Sequence, residues 1–97
     1  MQKWTKKAAI ERMKSNTLLQ EVLRIEPRIQ AILDEAVQQQ NEAGYHRIQT
    51  YYALKHQAEP LVGWGAAKPE IKTSAHYDAV IHTIDDLLPP DTVDLSN

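Results

Sequence analysis

"YHRIQTYYALKHQ", residues 45–57, is the stretch on which the fold turns. At a period of two, His46, Ile48, Thr50, Tyr52 and Leu54 fall on one side. Arg47, Gln49, Tyr51 and Lys55 fall on the other. β-Branched and aromatic side chains suit a pleated, half-buried surface, so this alternation predicts a strand. After "QAEP", the run "LVGWGA" (61–66) predicts a second strand, with Val62 and Trp64 on one face. Gly63 and Gly65 on the other face leave room for close approach of a backbone or a partner. A linker of roughly three to five residues between two such runs fits a hairpin.

Upstream the period lengthens. Leu18, Val22, Ile25, Ile29, Ile32 and Ala36 repeat at alternating steps of four and three, widened by Leu33 and Val37. That is the stripe of an amphipathic helix. Thr17 and Gln20 fit a capping box at its start, and Gly44 sits where a left-handed cap would end it. Pro27 falls inside the stripe. The register survives on both sides, which predicts either a kink or two abutting helices with Pro27 in the first turn of the second. Residues 3–14 carry a looser apolar face of Trp4, Ala8 and Met13 among lysines and predict a short helix. Downstream, Ser74 opens a last helix with Asp78 in its first turn. Its apolar face is Tyr77, Val80, Ile81, Ile84, Leu87 and Leu88, and Pro89 with Pro90 stops it. The segment "WGAAKPEIKTS" between hairpin and helix reads as a contact-making loop, with Trp64 and Ile71 near its ends.

The expectation is an α+β domain with helices packed on a small antiparallel β-sheet, in the order helix, long kinked helix, β-hairpin, C-terminal helix. Residues 1–16 form a basic N-terminal segment, 17–88 the domain and 89–97 an acidic tail. A chain of 97 residues has one core with little to spare. Lacking phenylalanine, it must build its aromatic packing from Trp and Tyr, whose N–H and O–H groups need partners. Lacking cysteine, it has neither a disulfide framework nor a thiolate metal site. No apolar run is long enough to span a membrane, and the first residues lack the apolar region of a secretory signal.

Charge is distributed unevenly. Residues 1–14 hold Lys3, Lys6, Lys7, Arg12 and Lys14 against Glu11, and residues 85–97 hold Asp85, Asp86, Asp91 and Asp94 with no base. Such polarity suits head-to-tail contact between subunits or an incidental touch on DNA, and equally two solvated ends. The four histidines do not converge: His76 and His82, six residues apart, face different sides of a helix. His82 and Asp86 have the spacing of a helical ion pair, and a metal would need further ligands. Adjacent Asp85 and Asp86 diverge by about 100° and form no acid–base dyad. Ser74 lies too near His76 to be its nucleophile, and "GWG" is too short to cradle phosphate. The expectation is therefore a protein that is not an enzyme and holds neither metal nor cofactor.

A long helix "LLQEVLRIEPRIQAILDEA", a glycine, an alternating hairpin ending "LVGW" and a closing "SAHYDAVIHTIDDLLPPD" resemble, across residues 17–91, the small head–tail connector (neck) proteins of long-tailed bacteriophages and prophages. The resemblance implies a structural subunit of a homo-oligomeric ring, set between portal or adaptor and tail proteins. It would reside in the virion neck, after assembly in the host cytoplasm. Ring position (adaptor, stopper or tail terminator) is left open by it. The residues singled out for such an interface are Lys3, Lys6, Lys7, Trp64, Ile71, Asp85, Asp86 and Asp91. The competing expectation is a small nucleic-acid-binding or regulatory module using the basic N-terminal helix.

Overall fold

The computed structural model describes residues 4–39, 45–63 and 68–90. Five helices account for its regular structure: α1 (Lys6–Ser15), α2 (Thr17–Ile25), α3 (Arg28–Gln39), α4 (Arg47–Val62) and α5 (Thr73–Leu87). Among the described residues there is no strand, so the expected antiparallel sheet is overturned and the fold is all-α. No helix among them is long and apolar enough to cross a membrane.

The correction lies in α4. Of the five residues aligned by the period of two, only Leu54 is buried. The face that enters the core runs Leu54, Ala58, Val62, a step of four, with Tyr51 partly covered beside it. The β-formers of residues 45–57 therefore lie on a helix, because α4 is packed between α3 and α5 and tertiary context overrides strand preference. Pro60 stands inside the helix, two residues from its end. It supplies no N–H, but Val62 beyond it is fully buried and the Gly63 N–H closes on the Glu59 carbonyl at 2.7 Å. Burial of Val62 helps to offset the cost of the proline. Of the expected second strand, Leu61 and Val62 belong to α4, while Trp64 to Ala66 lie outside the described residues.

The long stripe is divided as one of its two readings allowed. A residue before proline is pushed out of the helical region, and Glu26 sits at φ −130°, ψ 82°. Both halves enter the core: the expected Val22 of α2 and Ile29, Ile32, Leu33 and Ala36 of α3 are buried, but at the start of α2 the buried residue is Leu19, and the expected Leu18 and Ile25 are only partly covered. The N-cap is one residue earlier than the capping box predicted. Asn16 Oδ1 accepts from Leu19 N–H at 3.0 Å, and Gln20 donates instead to the Met13 carbonyl at 3.0 Å. Asn16 also ends α1, its own N–H bonding the Met13 carbonyl, so one residue closes one helix and opens the next. Gly44, the expected cap, lies outside the described residues. The last helix begins at Thr73, which puts Asp78 beyond its first turn.

α5 is the hub. It packs against each of the other four helices and buries Val80, Ile81, Ile84 and Leu87 together with His76 and Thr83. Thr83 satisfies its hydroxyl on the Ala79 carbonyl at 2.8 Å.

Candidate assembly surfaces

The C-terminal end of a helix exposes unpaired carbonyls and the negative end of its dipole. Asp85 and Asp86 add two more negative groups to the end of α5, and three donors from elsewhere in the chain answer them. The Trp4 indole N–H donates to the Asp86 carbonyl at 2.7 Å. The Arg12 guanidinium grips both Asp86 carboxylate oxygens, at 2.9 Å each. Arg47 donates to the Asp85 carbonyl at 2.9 Å and also to its carboxylate. The basic first helix and the acidic end of the last are thus brought together within one chain, and α4 is tied to the same point. Arg12 and Asp86 remain 51% and 35% exposed, so solvent screens their attraction and geometry is their main contribution.

The residues expected at an interface are distributed as follows. Lys6 and Lys7 are exposed on α1. Asp85 and Asp86 hold the contacts just described. Ile71 is buried in the core, where it serves packing. Lys3, Trp64 and Asp91 lie outside the described residues.

Two apolar surface features escaped the sequence reading. Ile48 is 61% exposed and Tyr52 50% exposed, the only large apolar side chains so open among the described residues. They stand one turn apart on α4 and form a ridge. Tyr51 meets Tyr52 edge to face at 5.2 Å, and the Lys55 ammonium lies 5.6 Å from the Tyr52 ring centre, so the ring is held in place. Their spacing of four was the available signal, visible once the stretch is read as helical. The second feature is an open groove of about 550 Å³ bordered by Ile10, Met13 and Lys14 of α1, Gln20 of α2, and Asp34 and Val37 of α3. No residue of α4 borders it.

The titratable groups build structure. Buried Glu26 takes the Arg28 guanidinium at 2.7 and 3.0 Å, with the Lys68 ammonium 3.6 Å away. The hydrogen bonds from Arg28 outweigh burial and hold its carboxyl down at about 2. Lys68 also donates to the Ile25 carbonyl at 3.0 Å, pinning the segment before α5 to the α2–α3 junction. The Tyr77 hydroxyl donates to Glu59 at 2.8 Å; burial, then the adjacent carboxylate, pushes the phenol up to about 12. His76, 1% exposed, accepts the Lys72 N–H on Nδ1 at 2.5 Å and turns Nε2 toward Glu21 at 3.5 Å. His82 is exposed while Asp86 is held by Arg12, so the spacing that suggested a helical pair is not used that way. Among the described residues no group of three His, Asp or Glu side chains converges on a point that a metal ion could occupy.

Comparison with known proteins finds no family model, no curated protein and no solved structure that matches this chain.

Proposed function

We propose that this chain is a structural subunit that works by binding other copies of itself and partner proteins. The ring that its sequence resembles, the head–tail connector of long-tailed phages, is the assembly we propose for it. The observation that carries the reading is the Ile48–Tyr52 ridge. A chain this short has few large apolar side chains, and α4 leaves two of them in water one turn apart. Covering such a pair contributes about 1–3 kcal/mol to association, enough to act as the anchor of a modest interface. The amphipathic tyrosine is a residue type enriched at such centres.

The nucleic-acid reading has less support. Arg12 is already engaged by Asp86, and Glu11 interrupts the exposed lysines of α1. A basic stripe with an acid in it and an arginine committed elsewhere makes few phosphate contacts.

Light scattering across a concentration series tests the proposal. The wild-type chain is expected to give a discrete oligomer, alone or with portal and tail proteins. Tyr52→Glu is expected to lower its association constant about tenfold while leaving the helical signal intact. A Tyr52→Glu chain that assembles as well as wild type would refute the ridge as the contact. A salt-dependent shift of DNA by the wild-type chain, with no self-association, would favour the nucleic-acid reading.

A further inference from the structure

We infer that α1 is an exchangeable arm, docked on its own α5 in the single chain and able to dock in the same way on the α5 of a second copy. The inference rests on the assembly reading and names the segment that would join one subunit to the next.

Three observations carry it. First, α1 is weakly rooted. It has one buried residue, Ala9, with Ile10 and Met13 partly buried against the core, whereas α5 has six buried, and it packs mainly on α5 and α2. Beside that packing, its attachment to α5 is a polar latch on one residue: the Trp4 indole on the Asp86 carbonyl and the Arg12 guanidinium on the Asp86 carboxylate. Second, the hinge is a single residue. Asn16 stands alone between α1 and α2 at φ −79°, ψ 103°. Its φ is already near the helical value, so rotating ψ to about −42° would run the two helices into one. That continuous helix, residues 6–25, would be about 30 Å long and would carry the arm clear of its own α5. Third, the latch is complementary in charge and shape to itself in another copy. The same indole, guanidinium and small Ala9 face fit the same Asp86 end, so no new surface is required.

Because the contacts are the same in either arrangement, their energies cancel between the docked and exchanged states. What remains is the hinge and the concentration of neighbours, the usual terms of a domain swap. The closed hinge is held by the Asn16 side chain on Leu19 N–H. Losing that cap while gaining helix propensity at the same position favours the continuous helix. Asn16→Ala is therefore expected to raise the self-association constant about tenfold.

Complementary charge reversal tests the exchange directly. Arg12→Glu and Asp86→Arg are made in separate chains, and also together in one. Each separate variant loses its latch. In an equimolar mixture, the arm of the Arg12→Glu chain pairs with the α5 end of the Asp86→Arg chain. The unaltered arm of the Asp86→Arg chain pairs in turn with the unaltered α5 end of the Arg12→Glu chain, so exchange restores every latch. The expected result is oligomers containing both variants, seen by native mass spectrometry, in about tenfold excess over those that either variant forms alone through the intact ridge. If the separate variants unfold and the mixture refolds, the exchange is equally supported. The chain carrying both changes is the control and should behave as wild type. A mixture that yields no excess of mixed species over the oligomers of the separate variants, while wild type assembles and the double variant is folded, would show that the arm stays on its own chain; the assembly reading would survive on the ridge. A wild-type chain that is monomeric at every concentration and with every partner would remove both.

Discussion

Glu26 offers a quantitative test of how the α2–α3 junction is held. Its carboxylate is 4% exposed, bound by Arg28 and approached by Lys68, and held at about 2 against an ordinary value of 4.5. A difference of that size corresponds to at most about 3 kcal/mol at neutral pH. Arg28 is 71% exposed and its attraction is partly screened, which reduces the expected contribution to about 1–2 kcal/mol. The sign follows from the direction of the shift. The folded state prefers the ionised carboxyl, so the stabilisation is complete above the ordinary carboxylate value and disappears as pH falls through about 2. Glu26→Gln keeps the volume and removes the titration. Urea unfolding of both chains from pH 7 to pH 2 should therefore show a gap of about 1–2 kcal/mol at neutral pH that narrows progressively below pH 4.5. Taking the difference between the two chains cancels the other carboxylates. A gap that stays constant across this range would mean that Glu26 acts by packing alone and that its charge is irrelevant.

Gly63 ends α4 without a positive φ, and the requirement the structure shows there is for space. A Cβ there would stand 3.0 Å from the Glu59 carbonyl oxygen and 3.1 Å from the Tyr77 ring. Gly63→Ala should destabilise by about 1–2 kcal/mol in chemical denaturation, and an unchanged midpoint would show that the ring gives way freely. Tyr77→Phe removes the donor to Glu59 and should cost about 0.5–1.5 kcal/mol at neutral pH. In the native chain the phenol keeps its proton past its ordinary value of 10, so its stabilisation is present below pH 10 and is lost as pH rises through about 12. Ultraviolet titration of tyrosinate should show one component displaced upward in wild type and absent from Tyr77→Phe.

What the sequence disclosed and concealed follows from where its signals are strong. Residues 18–37 place a large aliphatic side chain on nearly every turn, and both halves of that stripe enter the core, with Pro27 marking the break between them. Residues 73–88 were similarly legible. In α4 the buried face is Leu54, Ala58 and Val62, so its middle position is an alanine, while the bulky Ile48 and Tyr52 lie off that face in solvent. A hydrophobic count therefore favours the wrong residues, and the period of two merges side chains from two sides of the helix, the exposed Ile48 and Tyr52 with the buried Leu54. Asn16 and Thr17 are both competent caps; the choice fell to Asn16 because Gln20 turns back to the end of α1. The charge polarity of the chain was visible, but a list of charges does not say whether Arg12 meets Asp86 in its own chain. Trp4 could not be paired in advance at all, since its acceptor is a backbone carbonyl.

The place of α5 also has a consequence for how the chain is made. The helix against which the other four pack is the last of the five in sequence. Synthesis adds about 5–20 residues per second, so the apolar residues of α2 and α3 are made seconds before they have a permanent cover. During that interval Leu19, Val22, Ile29 and Leu33 are protected only by each other and by the helices already made. The core closes when residues 73–88 leave the ribosome, in one late step. A stop codon or a slow stretch before residue 73 would leave a helical chain with exposed stripes, a substrate for chaperones and a risk for aggregation, whereas truncation after residue 90 would leave all five helices whole.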